Sequence, residues 1–311
     1  MDATRVFLNS GQWFWPKAGG SAAPFIPRGL GEQLTLNGGT YYWSDLGSRA
    51  VNITDASGAL VRSIPVANPV NGPAQLLPAG DAGVYVLTRC FSTSDRTCPA
   101  STTDTIELIH DAASDAQTVV TPAPSTMIDA IAAAGNVLIW AERNPTDASE
   151  QIQQRDATTG AITALVTLPE PLATRSGGLV IAGDAFFDAI DFFSRIERRA
   201  LADGALLDSY AVEGTSAEWL TYDTDLYYTQ QPTFSIGPEG QCPVPLGVSR
   251  IRVSDRSMKR IDANALSAPV LIDGDVLYYT DLEISMCCSG NGHECPPSRP
   301  APSHVRCYRL R

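Results

Sequence analysis

The feature that most constrains this chain is a motif that recurs six times along its 311 residues. Each copy consists of a short apolar run, a tight turn and a second run rich in aromatic residues. Gly-Asp or Gly-Asn between two apolar runs predicts a two-residue β-hairpin, because these residues tolerate positive φ. The turns lie about 40 to 55 residues apart and are anchored at Gly38, Gly80, Gly135, Gly183, Asp223 and Gly274.

A second hairpin, with alternating polar and apolar residues, follows each copy of the motif. Examples are residues 50–65, 151–166 and 194–210. Two hairpins give four strands per unit of roughly 45 residues, and six units predict an all-β, six-bladed β-propeller with four antiparallel strands per blade. A β-sandwich does not need six matching units. A helical fold is excluded because no sustained i, i+3, i+4 apolar stripe occurs.

The two ends of the chain suggest how the last blade is completed. Residues 304–311 supply a third strand to the sixth unit, and the chain ends before a fourth. We therefore predict that residues 4–15 form the outer strand of the last blade, which would remove an open sheet edge. The blades begin near residue 30, and residues 1–311 are expected to form a single domain.

Two strands and one turn carry a resemblance to a known family. Residues 42–45 (Tyr-Trp-Ser-Asp) and 278–281 (Tyr-Tyr-Thr-Asp) resemble the Tyr-Trp-Thr-Asp strand of the YWTD family of six-bladed propellers. Residues 195–204 resemble the Ile-x-Arg-x-x-Leu-x-Gly strand and turn that follow it. The architecture is also similar to that of bacterial TolB-like propellers. The resemblance implies a six-bladed propeller over residues 30–311.

Charge and composition exclude several classes of function. The net charge is −12, which makes a phosphate-backbone partner such as nucleic acid a poor match. No apolar run approaches the roughly 20 residues of a membrane span. A chain with 44% hydrophobic and 18% charged residues does not have the composition of a disordered protein.

Cysteine usage points to an exported protein. The seven cysteines cluster beside Gly, Pro and Ser, which is typical of disulfide-stapled loops in extracellular, periplasmic or cell-surface proteins. The chain begins without a signal-peptide pattern, so we expect a mature chain whose signal was removed. Removal of a lipid-anchored N-terminal segment also fits, and a cytosolic protein with reduced thiols is the alternative. The cysteines are Cys90, Cys98, Cys242, Cys287, Cys288, Cys295 and Cys307.

The repeat places long insertions at 88–105, 142–150, 229–247 and 281–303, between the second and third strands of their blades. In a propeller blade that connection lies on the same face as the connection to the next blade, which is commonly the ligand face, by analogy between folds. The alternative is that these loops have simply drifted in length. Six cysteines fall inside the insertions, and Cys307 follows the Cys-rich loop.

The sequence leaves the disulfide connectivity open. Cys90 and Cys98 enclose a loop short enough for a local disulfide. Cys242 could pair with Cys287 or Cys288 in the neighbouring blade, and Cys295 with Cys307. Because the number of cysteines is odd, at least one is free or pairs outside the chain.

Two metal sites are conceivable alternatives to a metal-free protein. Zinc could be held in the Cys-rich loop, although no Cys-x2-Cys pair occurs there. Calcium could be held at the mouth of a central channel, where enzymatic six-bladed propellers use such an ion to polarise esters or lactones. The zinc candidates are Cys287, Cys288, His293, Cys295, His304 and Cys307. The calcium candidates are Glu32, Asp129 and Glu218, beside Gln75, Arg175, Gly177 and Ala268 at the other strand starts.

No established catalytic motif is present, so the expectation is a non-catalytic protein that needs no cofactor. We expect it to bind a protein, a peptide or a glycan through the stapled loops. A calcium-dependent hydrolase or lyase acting at the channel mouth is the alternative. Speculative binding residues are Trp13 and Trp15 in the N-terminal segment and His293 in the Cys-rich loop.

Overall fold

The computed structural model describes most of the repeat region and only parts of the insertions. For parts of several strands the structure describes only the backbone and not the side chains. Glu32 lies in such a part. The described residues are 5–8, 13–18, 23–26, 31–45, 49–68, 71–80, 83–90, 102–110, 115–123, 126–144, 146, 149–168, 178–190, 195–212, 216–230, 233–237, 240–244, 247–262, 271–273, 276–281 and 304–309.

The chain divides into two compact units, Met1–Pro171 and Leu172–Arg311. The prediction that the whole chain forms one domain stays a prediction. Every regular element described is a β-strand, as the alternating polarity of the sequence predicts. No helix in the described part of the chain is long and apolar enough to cross a membrane.

Unit 1 contains an N-terminal sheet and three four-stranded antiparallel meanders, named here the first, second and third sheets. The N-terminal sheet consists of β1 (Arg5–Leu8), β2 (Trp13–Pro16) and β3 (Ala23–Pro24). The first sheet has β4 (Gly31–Asn37), β5 (Thr40–Asp45), β6 (Ala50–Thr54) and β7 (Leu60–Pro65). The second has β8 (Gly72–Pro78), β9 (Gly83–Arg89), β10 (Thr105–His110) and β11 (Gln117–Val120). The third has β12 (Met127–Ala134), β13 (Val137–Arg143), β14 (Glu150–Asp156) and β15 (Ile162–Leu168).

Unit 2 contains two more four-stranded meanders, the fourth and fifth sheets, and a three-stranded sixth sheet. The fourth sheet has β16 (Leu179–Ala182), β17 (Ala185–Ile190), β18 (Arg195–Ala200) and β19 (Leu206–Ala211). The fifth has β20 (Ser216–Tyr222), β21 (Asp225–Gln230), β24 (Val248–Arg252) and β25 (Ser257–Asp262). A separate hairpin of β22 (Thr233–Gly237) and β23 (Gly240–Val244) lies between β21 and β24 in sequence. The sixth sheet has β26 (Leu271–Asp273), β27 (Val276–Asp281) and β28 (His304–Arg309).

The hairpin turns form where the repeat predicts them. Gly135 joins β12 to β13 with a φ of 53°, a left-handed conformation that costs a residue with a Cβ about 1–2 kcal/mol. Asp223 takes the equivalent position between β20 and β21 with a φ of 57°. Aspartate is one of the few residues other than glycine that adopt this left-handed conformation, because its short polar side chain can hydrogen-bond locally. The fifth repeat therefore forms the same turn without glycine.

Consecutive sheets pack face to face through the repeated aromatic and aliphatic positions. Tyr42 and Ile64 of the first sheet lie with Val84 and Ile109 of the second in one buried cluster, and all four are fully buried. Trp140 of the third sheet packs with residues of the second in the next cluster. Within unit 2, Phe187 and Tyr228 join the fourth and fifth sheets. The repeated aromatic positions Tyr42, Trp140 and Tyr228 therefore pack between consecutive sheets within each unit, whereas Trp43 packs with Phe25 and Ile26.

The N-terminal strand differs from its prediction. Residues 5–8 pair with β2, as in the register Phe7↔Phe14, and β2 pairs with β3. These strands therefore form their own sheet, and in the described pairings β28 is bonded only to β27. The physical reason is local, because the apolar strands β1 and β2 are separated by only a few residues and can pair directly. Phe14 then packs on Phe25 with ring centroids 6.3 Å apart, beside the first sheet.

Candidate functional site at the insertion ends of the sheets

The long insertions lie at one end of their sheets. Residues 90–104 join β9 to β10, 144–149 join β13 to β14, 231–247 join β21 to β24, and 282–303 join β27 to β28. Each joins the second strand of a meander to the third, as the repeat predicts. The chain also passes from one sheet to the next at this end. We call it the insertion end, and we call the opposite end, which carries only the hairpin turns, the turn end.

An ion pair lies at the insertion end of the third sheet. Asp129 occupies a break in the register between β12 and β13, and such a β-bulge re-aims a side chain. The Nε of Arg143 donates to Oδ2 of Asp129 at 2.6 Å, and its Nη2 donates to Oδ1 at 3.3 Å. The Asp129 side chain is only 8% exposed. These hydrogen bonds raise the pKa of Arg143, and the charge of the buried Glu150 adds to the effect.

A second charged contact links the second and third sheets at Ile128. Arg89, the last residue of β9, donates a hydrogen bond to the carbonyl oxygen of Ile128. The backbone N–H of Ile128 donates to Oδ2 of Asp104, the residue directly before β10, at 3.0 Å. Burial raises the pKa of the Asp104 carboxyl, and the nearby Arg89 charge opposes that shift. The two flanks of the 90–104 insertion are thereby fixed to the first strand of the next sheet.

Two buried glutamates hold the connections between sheets. Glu107 is fully buried, and its Oε2 accepts the N–H of Ala67 at 3.0 Å, in the connection from the first sheet to the second. Glu142 accepts the N–H of Ala123 at 2.8 Å and the hydroxyl of Thr126 at 2.7 Å, in the connection from the second sheet to the third. Burial raises the pKa of Glu107, and its hydrogen bonds partly offset that shift.

This arrangement gives the loops a rigid base. The charged groups face one another and backbone amides, and such bonds satisfy buried charges that would otherwise be costly. The described residues contain no group of three or more His, Cys, Asp or Glu side chains arranged to hold a metal ion. No nucleophile with an adjacent general base stands out among the contacts of the described residues.

The candidate calcium ligands are only partly described. Asp129 makes a two-point ion pair with Arg143, which occupies both oxygens that a cation would need. Glu32 lies in β4 and Glu218 in β20, and the structure describes only their backbone. Gln75, in β8, donates to the carbonyl of Ile131 at 3.4 Å. Arg175, Gly177 and Ala268 lie outside the described residues. The calcium site therefore stays a prediction.

The other candidate residues are located as follows. Cys90 directly follows β9, is half-buried and is disulfide-bonded. The side chains of the other six cysteines are not described, so the predicted pairings remain untested. Trp13 and Trp15 lie in β2, and the structure describes only their backbone. His304 lies in β28, whereas His293 is outside the described residues. Cys98, Cys287, Cys288 and Cys295 are outside them too, and Cys242 and Cys307 lie in β23 and β28.

Sequence reasoning missed the residues that brace the insertion end. Arg89, Arg143 and Glu142 were not singled out, although each is a charged residue that ends an apolar strand. A charged residue at the end of an apolar strand could have indicated these contacts, because a buried charge needs a partner. The partners themselves are distant in sequence, so the pattern alone could not name them.

Comparisons with known proteins establish the fold. Three solved structures resemble the chain: a chain of the mitotic checkpoint complex (13% identity, 89% of this chain and 85% of that chain, TM-score 0.59), the Pan2 WD40 domain of Neurospora crassa (10%, 82% and 76%, 0.53) and BamB of Moraxella catarrhalis (13%, 89% and 78%, 0.51). The similar structures are propellers, so the chain has a β-propeller architecture, as the sequence resemblance implied. No protein-family model matches the sequence, and no curated protein sequence matches it significantly.

Proposed function

We propose that this protein is an exported, non-catalytic, six-bladed propeller that binds a partner protein through the insertion ends of its blades. The observation that carries the proposal is the segregation of the long connections to one end of the sheets. A rigid scaffold with elaborated loops at one end is a common arrangement for binding. In this proposal the three-stranded sixth sheet counts as the sixth blade.

Two features support a protein partner. The bracing at Asp129, Arg143, Glu107 and Glu142 fixes the loop bases without offering a reactive group. One of the similar structures is a chain of a protein complex, which is an analogy between folds rather than between sites. A peptide or a glycan bound at the same loops is the narrower alternative.

We also propose that disulfides staple these loops. Cys90 is disulfide-bonded, and the nearby Cys98 is the partner we favour. Three disulfides would leave one of the seven cysteines unpaired. Alkylation of the unreduced, denatured protein should therefore label one thiol per chain. Labelling of all seven would contradict the stapled loops and, with them, the proposed export.

A calcium-dependent hydrolase or lyase is the second candidate, with Glu32, Asp129 and Glu218 as ligands. It has less support because Arg143 already neutralises Asp129. Elemental analysis of protein purified without chelator tests it. One calcium per chain, lost in Asp129→Asn, would favour this function over the binding role.

The binding role is tested by shortening one insertion cleanly. The N–H of Asn144 donates to the carbonyl of Ser149 at 2.9 Å, so these two residues already close the β13–β14 connection. Deleting residues 145–148 with Ser149→Gly leaves an Asn-Gly turn, which suits a two-residue hairpin. The deletion removes no cysteine and keeps the strand register.

The shortened protein is compared with wild type in co-purification from the cells that export it. The matched control is Thr158→Trp, at the turn end of the same sheet. We expect a stoichiometric partner to remain with wild type and with the control, and to be lost or strongly reduced with the deletion. Equal recovery with all three proteins would count against the insertion end of the third sheet as the binding surface.

A further inference from the structure

Two neighbouring pockets lie along the outer strands of the fourth and fifth sheets, within unit 2, and together they are called the groove here. Its lower part, about 300 Å³, is lined by Leu206–Tyr210 of β19 and by Arg256. Its upper part, about 360 Å³, is lined by the end of β19 and by Met258, Lys259 and Arg260 of β25. Both strands are the last of their meanders. The groove therefore follows the six residues of β19 and the next residue, Val212, over roughly 20 Å at the rise of a strand.

The groove has a buried floor and exposed apolar walls. Tyr228 is 3% exposed at its base. Leu206, Leu207 and Met258 line the walls and are 52%, 40% and 48% exposed. Large apolar side chains held at an open groove provide a favourable surface for an apolar partner residue.

The charge of the groove is opposite to that of the molecule. The chain carries a net charge of −12, yet the lining contains Arg256, Lys259 and Arg260. Among the lining residues that the structure describes, Asp208 is the one carboxylate, and it is bonded by Arg256 at 2.8 Å and by Arg198 at 3.3 Å. The Arg256 side chain is 73% exposed, so it also faces solvent. The local excess of positive charge would attract a carboxylate-bearing ligand.

From this combination we infer that the groove binds an extended acidic peptide with interspersed aliphatic residues. Aliphatic side chains would contact Leu206, Leu207 and Met258, and carboxylates would lie near Lys259 and Arg260. Because β19 is an edge strand, its outer backbone groups could also pair with the peptide, as in β-strand addition. This site is separate from the proposed partner surface at the insertion ends, because it lies on the outer strands.

Fluorescence anisotropy tests the inference with a labelled peptide of about ten residues in which leucine and aspartate alternate. We expect saturable binding that weakens as salt is raised, because exposed charges are screened. Peptides with lysine in place of aspartate, or serine in place of leucine, should bind at least tenfold more weakly. Single-stranded DNA of similar length should not compete, since it lacks the aliphatic side chains.

The variants separate the groove from general charge effects. Lys259→Glu with Arg260→Glu should weaken peptide binding at least tenfold, and Met258→Ser should weaken it several-fold. Arg62→Glu on β7, the outer strand of the first sheet, is the matched control and should change little. Circular dichroism verifies that each variant is folded. The inference is overturned if the acidic peptide shows no saturable binding, if DNA competes equally, or if the control weakens binding as much as the double reversal.

Discussion

The two ends of the sheets are stabilised in different ways. At the turn end, Asp156 accepts the N–H groups of Thr158 and Thr159, only two and three residues along the chain. At the insertion end, Glu107 accepts an N–H from 40 residues away and Glu142 one from 19 residues away. The Asp156 turn is therefore self-contained, whereas these insertion-end carboxylates depend on consecutive sheets being in place. Contacts between sheets occur at the turn end too, where Asn37 of the first sheet donates to the carbonyl of Gly80 in the second at 2.8 Å. Because the bonds of Glu107 and Glu142 hold the strand ends in place, the insertions can vary in length without disturbing the hairpins.

The pKa shifts follow the same division. Hydrogen bonds from Ser57 lower the pKa of the exposed Asp55, and bonds within their own turns do the same for Asp156 and Asp255. Burial raises the pKa of Asp104 and Glu107 at the insertion end. Hydrogen bonds within these three turns thus favour the ionised carboxylate, whereas burial disfavours it at Asp104 and Glu107.

The largest effect is expected from removing the cation at the insertion end. Arg143→Met leaves Asp129 and the buried Glu150 without their neighbouring positive charge. Removing one partner of a buried pair typically costs 3–5 kcal/mol, and the partial exposure of Arg143 reduces this to about 2–3 kcal/mol in the free energy of unfolding. Urea denaturation measures the change.

The double variant Asp129→Leu with Arg143→Met is the control for that prediction. Replacing a buried ion pair by apolar residues of similar size is often close to neutral. We expect the double variant to recover the part of the lost stability that comes from Asp129, which makes the closer contact with Arg143. If it is as unstable as Arg143→Met, the effect comes from lost packing of the long side chain and not from an uncompensated charge.

A smaller effect is expected at the turn end, where strain is local. Gly135→Ala places a Cβ on a residue with a φ of 53°, and no atom lies within 4 Å of that Cβ. The cost is then conformational alone, about 1 kcal/mol in the free energy of unfolding. Asp223→Gly at the equivalent turn should stay near wild type, since relieved strain is offset by a more flexible unfolded chain. A loss well above 2 kcal/mol in Gly135→Ala would show that this turn is not self-contained.

The pH dependence should differ between wild type and Glu107→Gln. Because the folded state raises the pKa of Glu107 above its usual 4.5, it binds the proton more tightly than the unfolded state does. This residue's contribution to stability is therefore fully present below pH 4.5 and is lost as the pH rises through the folded pKa. Glutamine keeps an acceptor for the N–H of Ala67 and does not titrate. We expect Glu107→Gln to be at least as stable as wild type at pH 7 and to lose the advantage on acidification.

Chemical denaturation of both proteins between pH 4.5 and pH 8 measures this difference. Glu107→Ala is the reference for a lost acceptor and should be less stable than Glu107→Gln throughout the range, because it leaves the N–H of Ala67 unsatisfied. Parallel pH profiles for wild type and Glu107→Gln would contradict the raised pKa.

The smallest effect is expected from the exposed turn aspartates. Asp156→Ala removes only bonds to the N–H groups of Thr158 and Thr159 within a single turn, and both of those residues are exposed to solvent. The lowered pKa of Asp156 gives a stabilisation that is present above about pH 3.8 and is lost as the pH falls through the folded pKa. Thermal melting should show a slight decrease at pH 7 that disappears once the pH falls below the folded pKa. A decrease as large as that of Arg143→Met would remove the distinction between the two ends.

The sequence predicted what depends on local chemistry. The hairpins at Gly38, Gly80, Gly135 and Asp223, and the position of the insertions, follow from turn residues and polarity alternation, and the structure contains them. The partners of Arg143 and Glu142 could not be predicted, because they depend on the register between strands and on packing between sheets. The pairing of the N-terminal strand was wrong for a related reason. An apolar strand can be recognised from its sequence, but two candidate partners cannot be ranked.

The most direct test of the binding role compares two exposed threonines at opposite ends of the third sheet. Thr146 lies in the insertion between β13 and β14, and Thr158 lies in the turn between β14 and β15. A photocrosslinking amino acid is placed at each position in turn, in the cells that produce the protein, and the adducts are identified by mass spectrometry. The account predicts one recurrent protein adduct from Thr146 and none from Thr158. An adduct that forms equally at both positions, or only at Thr158, would contradict it.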